Sequence, residues 1–244
     1  MQTLQEKQQV LQAAIENLYV EFSSYKLRVP IDGCSCCVSD EDQKRLVSKP
    51  LRQLEKDDLS RYASCAMTTW GDEYDYKHFL PRILELLAPD EGFSVGAQLL
   101  SFNLPYAEWQ TWPESEKTAV INYLLAVWDY VLEGGNTSDV ADGWIDAIAE
   151  VVDDLKPFLL AWEQNSSAES CDILLEFCEG YYMSPSAPQV VRWLQSDKLL
   201  QLFEQRCFEA KSQQEANLFA QVVKALNAYK HTSQSGENDE SPSN

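Results

Sequence analysis

Positive charge is what the middle of this chain lacks. Between Asp90 and Glu179 only Lys117 and Lys156 are basic. Phosphate backbones and anionic lipid are held by clustered lysines and arginines, and no basic stripe occurs, so direct nucleic-acid binding is not expected. Long apolar runs are missing too. None approaches the roughly eighteen residues of a membrane-spanning helix, so no membrane partner is expected. The opening MQTLQEKQQVLQAAIENLYVEF places glutamines and glutamates where a signal peptide carries a basic patch and an apolar run. The expected location is cytoplasmic.

Catalytic signatures are also scarce. There are two histidines, His78 and His231. His231 borders a polar tail, and His78 stands one position off an apolar helical stripe, where a structural histidine is the simpler reading. No G-x-G-x-x-G turn or G-x-x-x-x-G-K-[ST] loop occurs. A calcium loop of D-x-[DN]-x-[DN]-G type and an E-x-x-H di-metal motif are absent. The expectation is a protein that is not an enzyme, with no catalytic residues and no cofactor assigned.

What is abundant is acid. Eighteen acidic residues lie between Asp90 and Glu179, so that stretch supplies −16 of the net charge of −20. Residues 1–89 are nearly balanced, at fourteen acidic against eleven basic, and residues 180–244 carry seven against six. A folded region this negative attracts a basic partner. Asp139, Asp142 and Asp146 share one helical face, extended by Glu150, Asp153 and Asp154. That cluster reads as a solvated face, as a docking face for lysines and arginines, or as a carboxylate or divalent-metal site. Trp109 and Trp112 lie three apart; exposed, they would anchor a partner beside the acid, and buried, they would pack between helices.

Helical periodicity dominates the apolar residues. Tyr76, Phe79, Leu80, Ile83, Leu84 and Leu87 form one stripe, and Val120, Tyr123, Leu124, Val127, Trp128 and Val131 form another. A first helix from Leu4 to Lys26 would turn Leu4, Leu11, Ile15, Leu18 and Phe22 inward. Further helices are predicted over 57–70, 93–103, 138–151, 155–163, 169–178, 188–195, 197–209 and 212–229. Strand alternation is nearly absent. The predicted fold is all-α, an irregular multi-helix array. HEAT-like antiparallel pairs, 57–70 with 75–87 and 115–133 with 138–151, are one arrangement, and a compact orthogonal bundle is another. Residues 1–50 would form an N-terminal helix and a cysteine-containing loop packed on the main body, 51–231 the array, and 232–244 a disordered tail.

Seven cysteines, an odd set with no secretion signal, read as reduced thiols. Cys171 and Cys178 lie seven apart on one helical face and read as core. The most specific local feature is Gly33-Cys34-Ser35-Cys36-Cys37. Cys34 and Cys37 have the C-x-x-C spacing of a metal corner or redox pair. A zinc site there would draw its other ligands from Cys36, Cys65 and His78. Small residues packing a tight loop is the plainer reading.

Cys34-Ser35-Cys36-Cys37, Leu59 to Tyr62, Thr68-Thr69-Trp70-Gly71 and Lys77-His78-Phe79-Leu80-Pro81-Arg82 together resemble a family of uncharacterised bacterial helical proteins, over roughly residues 30–90. The resemblance implies a bacterial cytosolic origin and a structural feature joining the 33–37 loop to Trp70, His78 and Arg82; it supplies no catalytic residues. The expected function is an acidic helical module for a basic protein, with an immunity protein facing a secreted toxin domain as one occupant of that role. The alternative is a metal- or thiol-dependent enzyme built on Cys34, Cys36, Cys37, Cys65 and His78.

Overall fold

A computed structural model describes residues 3–88, 96–135, 141–180 and 182–236 of the chain. Among the described residues there are twelve α-helices, linked by short turns, with two isolated β-bridges and no sheet. The fold is therefore all-α and irregular. The chain divides into two compact units, Gln2–Val131 and Leu132–Asn244.

The first unit holds α1 (Leu4–Glu21), α2 (Asp40–Leu46), α3 (Lys56–Cys65), α4 (Glu73–Leu87), α5 (Gln98–Tyr106) and α6 (Glu114–Tyr130). Residues 1–50 thus belong with 51–131. Thr3 opens α1 through a capping box with Glu6, and α1 packs along α6 and α4. Leu11, Ile15, Leu18 and Phe22 are buried as their spacing predicts, but Leu4, in the first turn, is exposed. Both predicted stripes, on α4 and α6, are buried along their whole length. Each such side chain contributes about 1.5–3 kcal/mol by leaving water.

Two local readings are corrected. The helix predicted over 57–70 ends at Cys65; Glu55 caps it, with Asp58 as the third residue of the capping box. Residues 1–50, expected to hold one helix and a cysteine-containing loop, also contain α2, seven residues long and capped by Ser39 with Asp42. With Leu46 as its one buried residue, α2 is too short to show an apolar period.

The second unit holds α7 (Ala141–Val151), α8 (Lys156–Gln164), α9 (Ala168–Glu179), α10 (Pro188–Leu194), α11 (Asp197–Glu209) and α12 (Gln213–Gly236). Here α12 packs against α9, α10 and α11. Trp162 sits in this core with Phe177 edge-on at 5.1 Å and Trp193 at 4.9 Å. Cys171 and Cys178 are buried in α9, where burial pushes both thiols up to about 12. They are inert core, as their spacing predicts. Helix α12 runs through Gly236, so of the predicted tail residues 237–244 lie outside the described ones.

The helix pairing expected from spacing holds in part. Helices α3 and α4 touch. The second expected pair, 115–133 with 138–151, falls on either side of the division between units. No helix of the described residues is long and apolar enough to cross a membrane.

Candidate functional site

Two features carry chemistry, one in each unit. In the first, Cys34, Cys36 and Cys37 bring their sulfurs within 4.8 Å of one another. Cys34 Sγ is 2.9 Å from Cys36 Sγ, and Cys36 Sγ is 3.6 Å from Cys37 Sγ. Cys36 is exposed and the other two are half-buried. The loop is a tight turn, since Cys34 O accepts from the amides of Cys37 and Val38, each at 2.9 Å. Its stem is docked on the core: Cys34 N donates to Thr69 O at 2.8 Å, Gly71 N donates to Asp32 O at 2.6 Å, and Gly33 bridges Trp70. A Cβ at Gly33 would crowd Val38 at 3.2 Å and the Trp70 indole at 3.3 Å, so a larger residue there must push both side chains aside. Trp70 is itself buried, with its ring edge-on to Tyr62 at 5.4 Å. Arg61 donates to Cys37 O at 2.6 Å and pairs with Asp42, closing the far side of the loop.

Two of the thiols are shifted in opposite directions. Hydrogen bonding from the Cys36 thiol, then from the Cys36 amide and the Cys37 thiol, lowers Cys34 to about 7. Cys37 moves the opposite way, to about 11, because Cys34 and then Cys36 hold its proton. Of these two, Cys34 ionises first.

The larger five-residue centre is not assembled. Cys65 lies outside the sulfur group. Its carbonyl is what matters, accepting from the amides of Thr68, Thr69 and Trp70 to form the turn on which the loop docks. His78 is half-buried with Nδ1 2.9 Å from Tyr25 O. A carbonyl can only accept, so Nδ1 carries the proton; burial, partly opposed by this hydrogen bond, holds His78 below the usual histidine range. Arg82 donates to Leu54 O at 2.7 Å and pairs with Glu85. Of the feature implied by resemblance, the loop and Trp70 are joined, while His78 and Arg82 pin other segments.

Trp109 and Trp112 are not surface anchors. Both are buried, at 5 % and 3 % exposure. Trp112 Nε1 donates to Ala107 O at 3.1 Å, and its ring meets Phe22 edge-on and lies under the Lys77 ammonium at 4.3 Å. The short turn Trp109–Thr111 folds both rings inward before α6 begins.

The second feature is the acidic surface of the second unit. Asp142, Glu150, Asp153 and Asp154 are exposed and Asp146 is half-buried; Asp139 lies outside the described residues. Neutral donors hold some of these groups. Tyr182 donates to Asp146, Ser186 to Glu150 at 2.5 Å, and the Lys156 amide to Asp154 at 2.8 Å. Hydroxyls and amides orient a carboxylate without cancelling its charge. A further stripe was not singled out in the sequence: Glu169, Asp172, Glu176 and Glu179 are all exposed along one side of α9. Their spacing of three, seven and ten was the available signal, obscured by acid on every neighbouring segment. Among the described residues, none of these nine carboxylates forms an ion pair; the two ion pairs of this unit are Lys198–Glu163 and Lys230–Asp197. Lys156, Arg192 and Lys198 line one cleft of about 280 Å³.

No family model, curated protein or solved structure matches the chain. The likeness over residues 30–90 therefore assigns no role to any residue, and the functional argument rests on geometry alone.

Proposed function

We propose that the chain is a cytoplasmic binding protein, not an enzyme, whose second unit engages a basic protein through the carboxylates of α7, of the turn that follows it and of α9. The observation that supports this reading is the set of nine carboxylates, Asp142, Asp146, Glu150, Asp153, Asp154, Glu169, Asp172, Glu176 and Glu179, left without a lysine or arginine partner. Unpaired negative charge held on a folded surface steers a basic partner into encounter. A toxin domain with a basic, nucleic-acid-cleaving cleft matches that chemistry, and its neutraliser would be an immunity protein.

The test is capture at low salt from the source cells, then association kinetics with the basic protein recovered. The rate is expected to fall at least about tenfold between low and high salt, where screening shortens to a few ångströms. A rate that ignores salt sinks the proposal.

A further inference from the structure

We propose that Cys34, Cys36 and Cys37 form a three-thiolate site for a soft monovalent d10 cation, cuprous copper. The site lies in the first unit and is independent of the acidic surface.

The donor set argues for the ion. All three ligand atoms are sulfur, and among the described residues no histidine or carboxylate joins them within 4.8 Å. Sulfur-only donors select soft ions, cuprous copper and zinc among the common ones. Structural zinc takes four protein ligands. Cys65 and His78, the other ligand candidates in the sequence, are outside the group. Three sulfurs without a fourth suit an ion content with trigonal coordination. Metal–sulfur bonds of about 2.3 Å put three trigonal sulfurs about 4 Å apart. The observed pairs at 2.9 and 3.6 Å open to that spacing by rotation of the exposed Cys36 side chain.

The loop is also built before any ion arrives. Backbone hydrogen bonds fix Cys34 against Thr69 and close the turn from Cys34 to Val38. Arg61, on the Cys37 carbonyl, places a positive charge beside a site that becomes negative when filled. Loading is not a redox step: copper enters as the cuprous ion, each S–H that becomes a Cu–S bond releases its proton to solvent, and the metal stays cuprous.

The experiment titrates the full chain with cuprous ion under anaerobic conditions and a non-thiol reductant, against a chromophoric cuprous chelator, with zinc in parallel. The expected result is one copper retained per chain. C34S, C36S and C37S each lose it, while C65S and C207S keep it. Helical circular dichroism unchanged in all five variants shows that the loop, not the fold, is being read. A chain that yields all its copper to the chelator overturns the proposal. So does copper retained by the C34S/C36S/C37S triple variant, or zinc held at one per chain in preference to equimolar copper.

Discussion

The two units spend their charge differently. Of the fourteen ion pairs among the described residues, twelve lie within Gln2–Val131 and two within Leu132–Asn244. In the first unit acids and bases hold the fold together. Lys7 reaches Asp129, Arg52 grips Glu16 through two hydrogen bonds, and Arg28 joins Asp72 and Asp75. Most of these pairs are solvent-facing and contribute little individually, but they leave little charge unopposed. In the second unit the apolar core around Trp162 stabilises the helices, and the acids of α7 and α9 stay free. Charge that does not support the fold is available for a partner.

The largest expected effect sharpens that contrast. Lys77 and Glu116 are each 5 % exposed and pair at 3.0 Å, with Glu73, Tyr25 and the Trp112 ring around the ammonium. Burial works against the Lys77 charge, yet its hydrogen bonds to Glu73, Glu116 and Tyr25 outweigh it and hold its pKa above the usual value. Glu116→Gln leaves that ammonium short of a counter-charge and should cost about 3 kcal/mol in urea unfolding. Asp172→Asn, on an exposed α9 carboxylate, should change stability by less than about 0.5 kcal/mol. Equal losses would mean that both units use their acids alike.

Acid comes next. His78 is held low chiefly by burial. Asp58 and Asp72 are lowered although burial opposes it, through the Glu55 and Lys49 hydrogen bonds for one and the Asp75 and Arg28 hydrogen bonds for the other. All three bind protons more weakly folded than unfolded. Their stabilisation is present above the unfolded pKa and lost as pH falls, through the histidine range first and the carboxylate range afterwards. Thermal melts from neutral to acid pH should show two successive declines, and His78→Gln should remove the earlier one. A first decline that survives in this variant contradicts the assignment.

The smallest effect concerns Tyr62, whose buried hydroxyl has no hydrogen-bond partner among the described residues. Tyr62→Phe removes a desolvated polar atom and keeps the ring against Trp70 and Phe79, so stability should hold within about 1 kcal/mol or rise. A larger loss in urea unfolding would reveal a partner for that hydroxyl.

Much of the fold was legible because helical period is a local signal. The α4 and α6 stripes and the core cysteines of α9 follow from spacing alone. What spacing cannot supply is a side chain's neighbours. Trp109 and Trp112 could face either way until Phe22, Tyr76 and Lys77 are seen around Trp112. The C-x-C-C loop was visible, but its exclusion of Cys65 and His78 depends on long-range contacts, Thr69 to Cys34 and Tyr25 to His78. The α9 stripe was hidden for the opposite reason, because excess acid made no single acidic period distinctive.

The most direct test removes charge without disturbing the core. Asp142, Asp153, Asp172 and Glu176 are exposed and unpaired, so D142N/D153N/D172N/E176Q should keep its helical content. Against the basic protein captured at low salt, its association rate should drop at least about tenfold and lose most of its salt dependence. Association as fast and as salt-sensitive as that of the unaltered chain would contradict the account.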